Sequence, residues 1–135
     1  MKAIAFALVV CLGVLVMAAP LGAHHSFSAQ YDSKKPITLK GLVTKVEWNN
    51  PHVYFYVNVN DGSGKLVNWA FEMGAPSGLR RQGWNRNSLS VGDEIIVEGS
   101  LAKDGSKLVN ARSVVMASTG KKLGTASSEG AAVER

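Results

Sequence analysis

The chain has a single cysteine in 135 residues, Cys11, inside an apolar run near its N-terminus. A disulfide framework, a cysteine zinc site and a thiol nucleophile are therefore excluded from everything after that run. Histidine is scarce as well: His24, His25 and His52 are all there are. Few constructions of a metal or acid–base site remain open. Nor is there a block of like charge, since basic residues such as Lys40, Lys45, Arg80, Arg81 and Arg112 are interspersed with acids. Nucleic-acid binders concentrate their charge on one face and interleave aromatics. The formal net charge of +5 thus reads as a solvated basic surface, and no nucleic-acid partner is expected.

What is present begins with Lys2, an uncharged apolar run over residues 3–19, and Pro20, Leu21, Gly22 and Ala23. A positive start, an apolar middle and a small residue before the cut describe a secretory signal over residues 1–23. A retained membrane anchor is the competing reading, at the short limit for a ~30 Å hydrocarbon layer. Cleavage is expected after Ala23, with Val16-Met17-Ala18 as a competing site. The product is then periplasmic or secreted and keeps no membrane anchor. Bulky Val10 before Cys11, and the apolar run beyond it, argue against lipidation.

Residues 24–36 are polar apart from Phe27 and Tyr31 and read as an N-terminal arm. From 37 to 48, apolar residues alternate with Thr38, Lys40, Thr44 and Lys45 and change phase at Gly41, which predicts a long strand with a bulge or bend at the glycine. Asn49-Asn50-Pro51 stops it. Residues 52–60 alternate cleanly, with Val53, Phe55, Val57 and Val59 facing a core and His52, Tyr54, Tyr56 and Asn58 facing outward. Asp61-Gly62-Ser63-Gly64 is a hairpin connection. Residues 66–73 make a third strand, residues 77–86 a short helical segment weakened by Gly83, and residues 95–101 and 108–116 the last two strands. Past Ala117 large apolar residues nearly vanish, and a flexible tail is expected over 118–135. Residues 37–117 therefore predict an all-β domain, a small five-stranded OB-like barrel with a helical segment between strands 3 and 4. A β-sandwich is the competing fold.

Several motifs are shared with known sequences: His24-His25-Ser26-Phe27 after the export signal, Val46-Glu47-Trp48 with Asn50-Pro51-His52, Asn68-Trp69-Ala70-Phe71-Glu72, Gly83-Trp84 and Gly92-Asp93. In these the chain resembles a family of small secreted bacterial proteins catalogued only as a domain of unknown function. The resemblance spans nearly the whole exported chain. It implies an envelope location and a compact β-rich domain, and no activity.

Cleavage after Ala23 gives His24 a free α-amine. That amine and the Nδ1 of the same ring form a chelate of the kind copper(II) favours, and His52, beside a proline-fixed turn, is the candidate that completes it. The chain from 24 to 37 reaches up to roughly 40 Å, about the length of the first strand, so the arm is long enough to double back to His52. His24, His25 and His52 are thus candidate metal ligands, with Glu72 as the group that orients a histidine. The plain alternative is a polar chain start, with His52 bonded to backbone and Glu72 paired with Arg80 or Arg81. Tyr54, Tyr56, Asn58 and Trp48 form a second candidate site, a stacking surface for a small organic or saccharide ligand. Against it stands an arm that covers the tyrosines through Phe27 and Tyr31. No nucleophile motif is present and no catalytic residue is assigned. The expected function is a non-enzymatic binding or accessory module acting with an envelope protein or small ligand, copper being the candidate cofactor. A copper-dependent oxidative enzyme is the remaining reading.

Overall fold

The computed structural model describes residues 27–129. One helical turn, α1 (Phe27–Gln30), leads into β1 (Tyr31–Glu47), β2 (Tyr54–Asn60), β3 (Leu66–Glu72), α2 (Pro76–Arg81), β4 (Glu94–Ala102) and β5 (Leu108–Met116). The protein is mostly β, as its alternation predicts. The strands close into a ring in the order β1-β2-β3-β5-β4, with β4 returning to β1. All neighbours are antiparallel except β3 and β5.

Period-two alternation puts every second side chain inside the ring. On β2 and its lead-in these are Val53, Phe55, Val57 and Val59, all buried, and they meet Phe71, Ile95, Val97, Val109 and Val114 from the other strands. The rings of Phe55 and Phe71, directly opposed in register, stack with centroids 5.0 Å apart. Removing each such large side chain from water contributes about 1.5–3 kcal/mol. Trp48, Leu79, Trp84 and Leu89 extend this core between the end of β1 and the α2 region.

Three boundaries differ from those expected. The irregularity of β1 against β2 lies between Val43 and Lys45, where Val43 exchanges backbone hydrogen bonds with Gly92 and Asp93, and not at Gly41. Gly41 serves another purpose: a Cβ there would sit 2.1 Å from the carbonyl oxygen of Asn58, so the residue permits β1 and β2 to approach. Gly99 on β4 stands in the same relation to Asn110 of β5. Second, β1 begins at Tyr31 rather than at 37, because Tyr31 and Asp32 pair with Ala102 and Leu101 before the register shifts and resumes at Pro36. The arm is accordingly shorter. Third, the segment past Ala117 is packed as far as Glu129. Leu123 N–H donates to Val114, Ala126 N–H to Arg112, Gly74 N–H to Ala126 and the Trp84 indole to Gly124. Ala126 is fully buried. This strap crosses from β5 to the α2 region and is held by backbone hydrogen bonds and small residues, which hydropathy reads as tail.

The helical segment is also shorter than residues 77–86. It has proline at its start and ends at Gln82 and Gly83, whose φ of 90° halts it.

Candidate functional site

The outward face of β2 carries Tyr54, Tyr56 and Asn58, and the pairing register sets Glu72 of β3 directly opposite Tyr54. Glu72 is 5% exposed, so its carboxylate must find donors within the protein. It finds two hydroxyls: Tyr31 donates to Oε2 at 2.6 Å and Tyr54 to the same oxygen at 2.7 Å. Its other oxygen, Oε1, lies 3.5 Å from Nδ1 of His52, an ion pair only when the ring is protonated. That Nδ1 is 3.0 Å from the carbonyl oxygen of Met73, to which it donates. A carbonyl oxygen only accepts, so Nδ1 carries the hydrogen of this bond and Nε2 is the ring nitrogen left for another partner.

Tyr31 is 2% exposed and reaches Glu72 from the start of β1, along the strand order on the far side of β5. Phe27 of α1 packs on it with ring centroids 5.5 Å apart. Burial first, and then the hydrogen bond to Glu72, hold the Tyr31 and Tyr54 hydroxyls well above the usual phenol range, so both are donors at neutral pH. Two short bonds from neutral hydroxyls to one carboxylate are strong and directional. They fix the beginning of β1 to the β2–β3 hairpin.

Beside this node, on β5, Asn110 is 1% exposed and held at both ends of its amide by the strap: its Nδ2 donates to Ser128 Oγ at 2.7 Å and its Oδ1 accepts from Ser127 Oγ at 2.9 Å. Arg112 donates to Ser100 and pairs with Glu129 at 3.6 Å. A polar layer thus lies outside the ring, covered by both flanking segments.

Of the residues singled out in the sequence, His52, Tyr54 and Glu72 come together. Glu72 pairs with neither Arg80 nor Arg81. Tyr56 lies on the same face in a separate group, donating to Glu47 Oε2 at 2.9 Å with the Lys45 ammonium 5.3 Å from its ring centre. The Lys45 and Glu47 side chains are ion-paired. Lys45 first, then Tyr56, lowers the Glu47 carboxyl below its ordinary range. Asn58 accepts from Asn68 at 2.8 Å, and Asn68 also donates to Thr44 at 3.1 Å. Trp48 is in the core, 6% exposed, and its Nε1 has no hydrogen-bond partner among the described residues. His24 and His25 lie outside the described residues. Among the described residues no three His, Cys, Asp or Glu side chains converge as metal ligands. Tyr31, expected in the sequence to cover the tyrosines together with Phe27, does meet Tyr54, and its bond to Glu72 is the part that the sequence does not indicate.

Closed β topology with a buried carboxylate, two tyrosines and a histidine on its outer face defines a small β-rich domain with a built polar node. Residues 10–110 match the model of a family of unknown function, DUF6152, and the chain belongs to that family. No curated protein and no solved structure matches it.

Proposed function

We propose that this protein is an exported periplasmic or secreted binding module, built on an OB-like barrel, that holds copper(II) through His52 and the histidines of its mature N-terminus, His24 and His25. The single observation that carries the reading is Glu72 beside His52, 3.5 Å from Nδ1; the bond from that nitrogen to the Met73 carbonyl is one the plain alternative expects as well. A ring so oriented offers Nε2 to a metal, the arrangement that second-shell partners give to metal-binding histidines. The ring is 36% exposed, so a ligand from outside has access.

The reach of the arm supports the reading too. Tyr31 and His52 meet on the two oxygens of one carboxylate. With one helical turn over Phe27–Gln30 and His24 three residues further back, the chain from position 24 to Tyr31 spans at most about 16 Å, which keeps the paired histidines in the neighbourhood of that carboxylate. The OB-like reading is supported by the ring order, the lone parallel pair β3–β5 and the position of α2 between β3 and β4. Copper supplies an electron-poor centre for nitrogen ligands.

Intact-mass measurement of the exported protein is expected to show a chain starting at His24. Copper titration followed by electron paramagnetic resonance is expected to show nitrogen ligation that His52→Ala weakens and alters. A spectrum and affinity untouched by that substitution, or a mature chain beginning upstream of His24, would overturn the proposal. The saccharide reading draws on the exposed Asn58–Asn68–Thr44 ladder. It gains only if envelope sugars quench tyrosine fluorescence with chelator present.

A further inference from the structure

The ring is closed for only part of the length of β3. Its pairing with β5 covers Ala70, Phe71 and Glu72, and ahead of these, residues 66–69 have β2 as their only sheet partner among the described residues. Direction matters here. Ala70 N–H donates away from β2, to the carbonyl of Lys107. Backbone groups along a strand alternate sides with a period of two, so Asn68 and Leu66 present their N–H and C=O outward as well. This is an open edge two residue pairs long, with Leu66 61% exposed upon it.

Two lysines flank the edge. Lys65 immediately precedes it, and the Lys107 ammonium stands 4.8 Å from the ring centre of Trp69. Among the described residues neither forms an ion pair. The acids of the adjoining turns are committed elsewhere: Asp61 accepts from Ser63 N–H and hydroxyl, and Asp104 from Ser106 N–H. Charge at an edge blocks pairing with a like copy, since two such edges laid together oppose ammonium to ammonium. The same charges attract a strand of opposite sign.

We propose that the outward edge of β3 at residues 66–69 docks an extended acidic segment of a partner polypeptide, which adds as a further strand with its carboxylates against Lys65 and Lys107 and an apolar side chain against Leu66. Main-chain bonds to Leu66 and Asn68 give the affinity, and the lysines select the sign of the partner. This surface is separate from His52 and does not depend on copper.

The test uses the mature protein and a dye-labelled peptide, Asp-Val-Thr-Val-Glu, with a control in which the central threonine is proline. In amide-resolved NMR titration, the peptide is expected to shift Leu66 and Asn68, and the proline control is expected to fail. Lys65→Glu with Lys107→Glu, both at exposed positions, is expected to weaken binding roughly tenfold. Asn68→Pro removes the outward N–H together with the side-chain bonds to Asn58 and Thr44, so it is paired with Asn68→Ala, which loses only the side-chain bonds: the proline variant is expected to lower affinity and the alanine variant to keep it, with the Phe55 and Phe71 resonances in place in both. Unmoved Leu66 and Asn68 amides at saturating peptide, equal affinity after charge reversal, or sedimentation showing the wild-type chain dimerised through this edge would each overturn the proposal.

Discussion

The inside of the ring and the layer outside it are both buried, yet they are held by different forces. Inside, Val53, Phe55, Val57 and Phe71 pack by burial that is non-directional and tolerant of small adjustments. Outside, Glu72 and Asn110 are satisfied by hydroxyls at 2.6–2.9 Å from residues far away in sequence. Hydrophobic contact gives the domain its stability, whereas the polar layer decides which segments lie over which strands. A buried carboxylate left without its donors is costly, so the outer layer admits few alternatives.

The sharpest contrast comes from cutting into each region in turn. Phe55→Ala removes half of the stacked pair and opens a cavity at the centre of the ring, with an expected loss of about 3–5 kcal/mol in urea unfolding. Ending the chain after Gly120 takes away Ala126 and the partners of Trp84 and Asn110. The expected loss is about 2–4 kcal/mol, and a truncated protein as stable as the full chain would show the strap to be merely apposed. Glu72→Gln keeps the shape but replaces a charged acceptor, and should cost about 1–3 kcal/mol.

The same node has a signature in alkali. Because burial and Glu72 raise the Tyr31 and Tyr54 hydroxyls, the folded protein holds those protons more tightly than the unfolded chain. Their contribution is complete below the unfolded phenol value of about 10 and falls as the pH rises beyond it. Denaturation midpoints measured on both sides of that value should therefore decline, and decline less in Tyr31→Phe or Tyr54→Phe. At the small end, Lys45→Ala on the exposed Tyr56 group should leave the midpoint unchanged while the Glu47 carboxyl returns toward its ordinary range, which carbon-detected titration reads directly.

The two regions also differ in how plainly they are written in the chain. The inside was legible residue by residue: the alternation over 52–60 named the four core positions of β2 and its lead-in, and glycines in Asp61-Gly62-Ser63-Gly64 marked a turn where Gly62 and Gly64 do take positive φ. Five strands and a helical segment followed from such local patterns. The bonds that tie the outer layer together leave no periodic trace. The tie between Tyr31 and Glu72 spans 41 positions, and nothing in Gln30-Tyr31-Asp32 announces it. The strap likewise escaped notice because alanine, serine and glycine bury through backbone bonds rather than through hydrophobic bulk. His52, Tyr54 and Glu72 were each recognisable as candidates from their alternation and chemistry. Their meeting on one carboxylate required the β2–β3 register.

Gly41 and Gly99 carry a consequence for how this architecture tolerates change. Each is a point where two strands nearly touch through a missing methyl group. In an open sheet, a side chain added there would push the outermost strand aside and the strain would end at the rim. Here β1 and β4 are hydrogen-bonded to each other as well as to β2 and β5, so a displacement at either glycine returns around the circumference to its origin. Two missing side chains let neighbouring strands draw together at these points, and filling one of them alone leaves the hoop unable to close true.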